Sequence, residues 1–363
     1  MKKNFFFVSV FSIYFYIFYS QMYRTEDGFF SDLPAHMDMA MQFFEGKGYL
    51  AHPGFYFLAK LLEIITPLDF KQASVCMLSI FATAIAYIIF KVIEKETEYA
   101  FEYTGMLMLV TAIFIPFFNH LYLGQASSNI YHNPTLIIVK PFAYLSLILF
   151  IRLLDQMNKK MFWWATIVLT LSVIMKPNFI LAFLFTIPIY LLLKKANLKQ
   201  WLLSAGMIVP TLFILAYQYV RTYNTETASS VVIDPFGVWN LWTPSPLFSF
   251  LLGTAFPLAI VIFRYRQVWN SKFLLCSWIG LVISYSQFIL LAEGGYRFSH
   301  GNFAWGLQIF IALVFLFSVI EWIHWKKETF VGWKMSLVNI IFSLHLVSGS
   351  YYLIRIMLGY SIY

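Results

Sequence analysis

Charge is what this sequence lacks first. Asp, Glu, Lys and Arg together make up 12% of its 363 residues, about half the share of an ordinary soluble domain. No polar segment of domain length interrupts it, which excludes a soluble globular protein and a soluble appendage. Acid is scarcer than base, with 17 Asp and Glu against 25 Lys and Arg. In a soluble chain the net charge of +8 would suggest nucleic acid. Here the basic residues fall between apolar runs, so the positive-inside bias of membrane proteins accounts for the charge, and no nucleic-acid partner is expected. Cysteine is nearly absent, and Cys76 and Cys276 both lie inside apolar runs. Neither a disulfide framework nor a cysteine metal site is expected. There is no glycine-rich phosphate loop, and no internal repeat of the kind that points to a transporter.

What is present is apolar. The chain is 60% hydrophobic and 20% aromatic, and runs of about 18 residues or more recur from end to end. It reads as one integral membrane domain, residues 1–363, an all-α polytopic membrane protein. About 11 transmembrane helices are expected, within a range of roughly 9–13 because short apolar runs are ambiguous. The expected spans are Asn4–Met22, Gln72–Ile93, Tyr103–Phe118, Thr135–Leu154, Met161–Met175, Phe179–Leu193, Trp201–Val220, Leu247–Phe263, Phe273–Ala292, Phe303–Ile320 and Met335–Leu358. Lys2 and Lys3 precede an apolar run followed by no small-x-small cleavage site, so the first span reads as uncleaved.

Lys91, Lys95, Arg152, Lys159, Lys160, Lys194, Lys195, Lys199, Arg264, Arg266, Lys272, Lys326, Lys327 and Lys334 fall in alternate loops. That places the N-terminus in the cytoplasm of a multi-pass cell (inner) membrane protein. The outer loops are then 23–71, 119–134, 221–246 and 293–302. In the first of them, Leu33, Met37, Met41 and Phe44 have helical spacing, and Pro34 suits a first helical turn. A short helix over Leu33–Phe44 lying in the interface is expected, with a second interfacial or re-entrant piece over His52–Pro67.

The inner loops offer little chemistry; Glu94, Glu96 and Glu98 read as a solvated helix end. The unusual residues are all outside. Asp32 and His36 share a helical face, a pairing that suits a base or part of a metal site. Glu26 and Asp27 precede them, and either Asp27 or Asp32 is placed to deprotonate an acceptor hydroxyl. Asp32, just before Leu33-Pro34, also reads as the cap of the short helix. Lys140 and Lys176 each precede a proline about one turn inside the outer face. Each reads either as snorkelling to the interface or as facing an anion such as phosphate. Arg297 suits a bidentate phosphate contact or a pair with Glu293, and His300 lies in the same glycine-flanked loop. His52, His120 and His132 complete the outer polar set, among many aromatic side chains. An anionic lipid-linked substrate fits the whole.

This layout resembles the GT-C superfamily of membrane glycosyltransferases, with a first span, an acidic outer loop with interfacial helices, and a string of spans. SDLPAH, with Glu26-Asp27 before it, matches the acidic loop. HPGFYF, His52–Phe57, is similar to a His-Pro stretch that follows the first interfacial helix, and MKPN, Met175–Asn178, to a lysine-proline turn. The resemblance implies an inverting transfer from a polyprenyl-phosphate-linked sugar to a glycan, lipid or protein acceptor on the outer face. It implies Asp32 as base, with Asp27 as the other acid. The residue chemistry above, rather than the resemblance, makes His36, His52, His132, Lys140, Lys176, Glu293, Arg297 and His300 the expected substrate-binding set. No cofactor is demanded, and the sequence leaves room for a divalent ion without supplying its ligands. The rival classes are a polysaccharide polymerase or ligase, and a transporter or flippase of lipid-linked glycans.

Overall fold

The computed structural model describes residues 2–24, 31–50, 52–116, 126–223, 230–328 and 332–360. Among the described residues the chain is mostly helical, with one two-stranded ribbon. Its helices are α1 (Lys2–Tyr23), α2 (Leu33–Phe44), α3 (Gly54–Ile65), α4 (Phe70–Ile93), α5 (Ala100–Leu109), α6 (Pro134–Gln156), α7 (Lys159–Met175), α8 (Asn178–Leu193) and α9 (Leu198–Tyr223). There follow β1 (Val231–Ile233), α10 (Gly237–Trp242), α11 (Pro246–Asn270), α12 (Lys272–Leu290), β2 (Leu291–Glu293), a 3-10 turn over Gly295–His300, α13 (Ala304–Glu328) and α14 (Trp333–Met357).

Among the described residues, 8 helices are long and apolar enough to cross a membrane, namely α1, α4, α6, α9, α11, α12, α13 and α14. The chain is therefore a multi-pass membrane protein. Its outside is greasy, as lipid contact requires: Phe213 is 73% exposed and Ile262 70%. The centre is α13. Its sequence is apolar on every side, which marks a helix with neighbours all round, and 89% of its apolar window is buried. It packs against α12, α11, α8 and α6. One contact is closest at Gly306, where an added Cβ would lie 2.8 Å from the Asn178 carbonyl oxygen. Only glycine lets α13 approach the start of α8 there.

The loops sort into two ends. At one, Lys91 pairs with Glu94 at 2.5 Å, His324 with Glu96 at 2.8 Å, and Lys272 with Asp155. The basic loops read from the sequence meet there. At the other end, β1 pairs antiparallel with β2, Val231 opposite Glu293, and Arg221 lies over the Tyr49 ring at 4.7 Å.

One expected span is broken. Instead of one helix over Tyr103–Phe118, α5 stops at Leu109 and an irregular stretch follows. Its backbone is satisfied from elsewhere in the bundle. Asn129 Nδ2 donates to the Leu107 and Val110 carbonyls at 2.8 and 2.9 Å, Phe114 N–H donates to Ser348 Oγ at 2.9 Å, and Ile113 N–H donates to the Leu252 carbonyl at 3.0 Å. Irregular backbone inside a membrane protein is tolerable only when protein groups replace water in this way.

Candidate functional site

Helix α2 has the bounds read from the sequence, because Pro34 and the spacing of Leu33 and Met37 permit little else. Its cap does not behave as expected. Asp32 occupies the N-cap position, but its side chain makes no capping bond. The local turn is held instead by Ser31 Oγ, which accepts from Leu33 N–H at 3.2 Å. The reason is tertiary. Asp32 N–H donates to the His132 carbonyl at 3.1 Å, and this tie turns the carboxylate toward Asn133, whose Nδ2 donates to Asp32 Oδ2 at 2.9 Å.

Asn133 is the hub. It precedes Pro134 and caps α6, its Oδ1 accepting from Leu136 N–H at 3.0 Å. The same oxygen accepts from Lys176 Nζ at 3.0 Å. These donors fix the amide orientation, since a flipped amide would turn N–H groups toward an ammonium and a carbonyl toward a carboxylate. Lys176 is 4% exposed. It sits in extended backbone between α7 and α8, where Pro177 ends one helix and starts the next. Its ammonium also donates to Thr135 Oγ1 at 2.8 Å and lies 4.8 Å from the centre of the Trp305 ring, a cation–π geometry.

From Trp305 the polar chain continues. Its Nε1 donates to Asn302 Oδ1 at 3.2 Å, Asn302 Nδ2 donates to the Glu293 carboxylate, and Arg297 pairs with Glu293 at 3.2 Å. Asn178 Nδ2 reaches the Asn302 carbonyl at 2.5 Å. Groups from the loops before α2, α6, α8 and α13 thus form one connected network at one end of the bundle.

The histidines flank it. His36 Nδ1 bonds Tyr56 Oη, and the His132 ring meets Trp305 edge to face at 5.9 Å. Burial, then the Lys176 charge, lowers His36 to about 4 against a weaker opposing pull from Asp32. Burial, then Lys176, His36 and Arg297, lowers His52 to about 3. His132 is lowered mainly by burial, with Asp32 opposing and Lys176 reinforcing the shift. All three are neutral imidazoles at pH 7, gathered around one buried cation.

Of the residues singled out in the sequence, Asp32, His36, His52, His132, Lys176, Glu293 and Arg297 come together here. Lys140 does not. Its Nζ donates to the Ser128 carbonyl at 2.7 Å, beside Tyr14, Phe18 and Tyr131, and so supports the irregular segment before α6. His300 is exposed at the end of the 3-10 turn. Asp27, with Glu26, and His120 lie outside the described residues. The sequence reading counted Tyr56 and Trp305 only among the outer aromatic side chains, and missed Asn133, Thr135 and Asn302. Only Asn133 carried a signal, since Asn-Pro before an apolar run marks a helix start.

The arrangement offers a carboxylate, a nearly dry lysine that burial lowers to about 7 against the pull of Asp32, and neutral imidazoles as acceptors or relays. Among the described residues, no group of three or more His, Cys, Asp or Glu side chains is arranged to hold a metal ion. No protein-family model matches the chain, and no curated protein matches it as a relative.

Proposed function

We propose that the protein is a membrane glycosyltransferase of GT-C type, moving a sugar from a polyprenyl-phosphate-linked donor to a glycan, lipid or protein acceptor. The observation that carries this reading is the connection of Asp32 to Lys176 through Asn133. A base and an anion-binding cation are thereby held in one rigid unit. In this reading the site faces outward, with α2 and α3 in the interface. The 8 long helices, the arms α7 and α8 and the broken α5 segment together give 11 crossings.

The reaction runs as a single inverting displacement. Asp32 accepts the proton of the acceptor hydroxyl, and that oxygen bonds to the anomeric carbon as the bond from that carbon to the phosphate oxygen breaks. The electron pair leaves on the phosphate. Lys176 is placed to stabilise that developing charge, and fixed cations are worth most where water is excluded. Arg297, anchored by Glu293, adds a second cation. The neutral His36, His52 and His132 supply hydrogen bonds without competing for the phosphate as charges. A polymerase or ligase would be expected to lean on several outer arginines, and a flippase on a polar path through the bundle; the network here stays at one end.

The direct test is Asp32→Asn. Asparagine keeps the bond from Asn133 within reach but cannot take the proton. Because Asp32 does not cap α2, the variant is expected to insert and fold normally. Transfer from a radiolabelled polyprenyl-phosphate sugar should fall by at least about 100-fold. Full activity would sink the assignment of Asp32 and move the role to Asp27.

A further inference from the structure

A cavity lined by charged side chains lies at the opposite end of the bundle from Asp32. It has a volume of about 510 Å³. Its walls come from α4, α6, α11, α12 and α13 and hold both signs of charge. The acids are committed. Glu321 bonds Arg264 at 2.8 Å, Glu328 bonds Arg264 at 2.5 Å, and Glu96 bonds His324 at 2.8 Å. Glu96 stays partly exposed just past the end of α4 while it pairs with His324. Arg264 is 8% exposed, at a point where α11 departs from helical geometry with φ −132° and ψ 33°.

Two cations at the rim, Lys95 on the loop after α4 and Arg152 on α6, enter no ion pair among the described residues. The nearby acids Glu94 and Asp155 are taken by Lys91 and Lys272. Ser271 and Phe273 bring the start of α12 into the same wall; Ser271 Oγ takes the Leu274 N–H, and the N–H groups of Lys272 and Phe273, which have no helical acceptor, favour an anion. One side is apolar: the stacked rings of Phe273 and Phe317, with centroids 5.1 Å apart, together with Ile148, Val92 and Ile320. The charges of the wall balance, Lys95, Arg152 and Arg264 against Glu96, Glu321 and Glu328, but the acids are held by Arg264 and His324, so the two cations without an ion pair lie at the rim beside an aromatic surface.

We propose that this cavity is a second ligand site, binding a phosphate group through Lys95, Arg152 and the start of α12, with the apolar group attached to that phosphate resting on Phe273 and Phe317. Lipid phosphates and soluble organophosphates share this chemistry. The site is independent of transfer at Asp32, and its test reads binding rather than catalysis.

The test uses the purified full chain and native mass spectrometry with phosphatidylglycerol and phosphatidylcholine, followed by competition with phenyl phosphate. Wild type should retain phosphatidylglycerol over phosphatidylcholine. Each of Lys95→Gln and Arg152→Gln should weaken that binding about fivefold, as expected for a cation near a lipid phosphate. Both side chains are exposed, so neither change threatens folding. Displacement by phenyl phosphate would support the site with a soluble organophosphate as occupant, and retention of the lipid would support it with a lipid. Equal retention of the two lipids by wild type, or unchanged phosphatidylglycerol binding in both variants, would overturn it.

Discussion

Asp32 and Lys176 hold opposite ends of one amide: the Asn133 side chain donates to the carboxylate at 2.9 Å and accepts from the ammonium at 3.0 Å. A direct ion pair would have neutralised both groups and left neither for a substrate. An intervening amide keeps each charge oriented and separate. It also ties the loop before α2 to the hinge between α7 and α8 through the first turn of α6.

Asn133 is therefore the residue whose loss should separate structure from chemistry. Asn133→Ala removes a helix cap, worth about 1 kcal/mol, and releases both Asp32 and Lys176. The activity loss should exceed what so small a destabilisation explains, on the order of 10-fold or more for disturbed positioning. Asn133→Asp keeps the cap but sets a second carboxylate against Asp32. Thermal melts and transfer assays on the two variants check this, and a fall in activity only in proportion to folded protein would contradict it.

The two buried lysines should part company. Lys176→Met removes the cation of the network, and donor turnover should fall on the order of 100-fold, as for other preorganised charge-stabilising donors. Lys140→Met leaves the Ser128 carbonyl without its partner and should cost about 1–3 kcal/mol of stability, with transfer retained by the folded fraction. Equal activity losses per folded molecule would return Lys140 to the site.

How much of this was legible in the sequence differs by element. The bounds of α2 followed from Pro34 and the apolar spacing, and the hinge at Lys176-Pro177 followed from proline's missing N–H; both are local effects. The end of α5 at Leu109 was not legible, because the groups that satisfy the following backbone come from Asn129, Leu252 and Ser348. No window of sequence contains them together. Asn133 was missed, although Asn-Pro before an apolar run carries a cap signal, and its second role depends on where Asp32 and Lys176 arrive in space. Asp32 was read as a cap for the same reason in reverse: the local pattern fits, and a tertiary bond wins.

Topology gives an independent check. In a Cys76→Ser background, Asp38→Cys places a thiol at an exposed position on α2, and Lys95→Cys places one at the opposite end. An impermeant maleimide should label the first in intact cells and the second only after lysis. The reverse pattern would put the network on the cytoplasmic side and remove the outer-face reading.

The histidines predict a pH dependence of stability. His52 is lowered from 6.5 to about 3 in the folded protein. Below pH 6.5 the unfolded chain takes up a proton that the folded one refuses, so stability is present above that pH and drains away as pH falls toward about 3. His36 acts in the same direction down to about 4. The melting temperature of wild type should drop from pH 7 to pH 4, and His52→Asn should flatten the slope. An unchanged slope would mean that His52 is solvated.

A double-mutant cycle tests whether Asp32 and Lys176 serve one step. Asp32→Asn and Lys176→Met are each expected to lower transfer about 100-fold. Independent effects would multiply, giving the double variant about 10,000-fold below wild type. Residues that act as a unit are strongly non-additive, because once one is gone the other has little left to assist. Here proton removal at the acceptor and charge growth on the leaving phosphate belong to the same displacement, and Asn133 links the two groups mechanically. The double variant should therefore sit within about tenfold of the weaker single variant, a coupling of about 1.4 kcal/mol or more beyond additivity. Pre-steady-state transfer, normalised to folded protein, measures it. A fully multiplicative result would show that Lys176 binds the donor in the ground state and takes no part in the step that Asp32 serves.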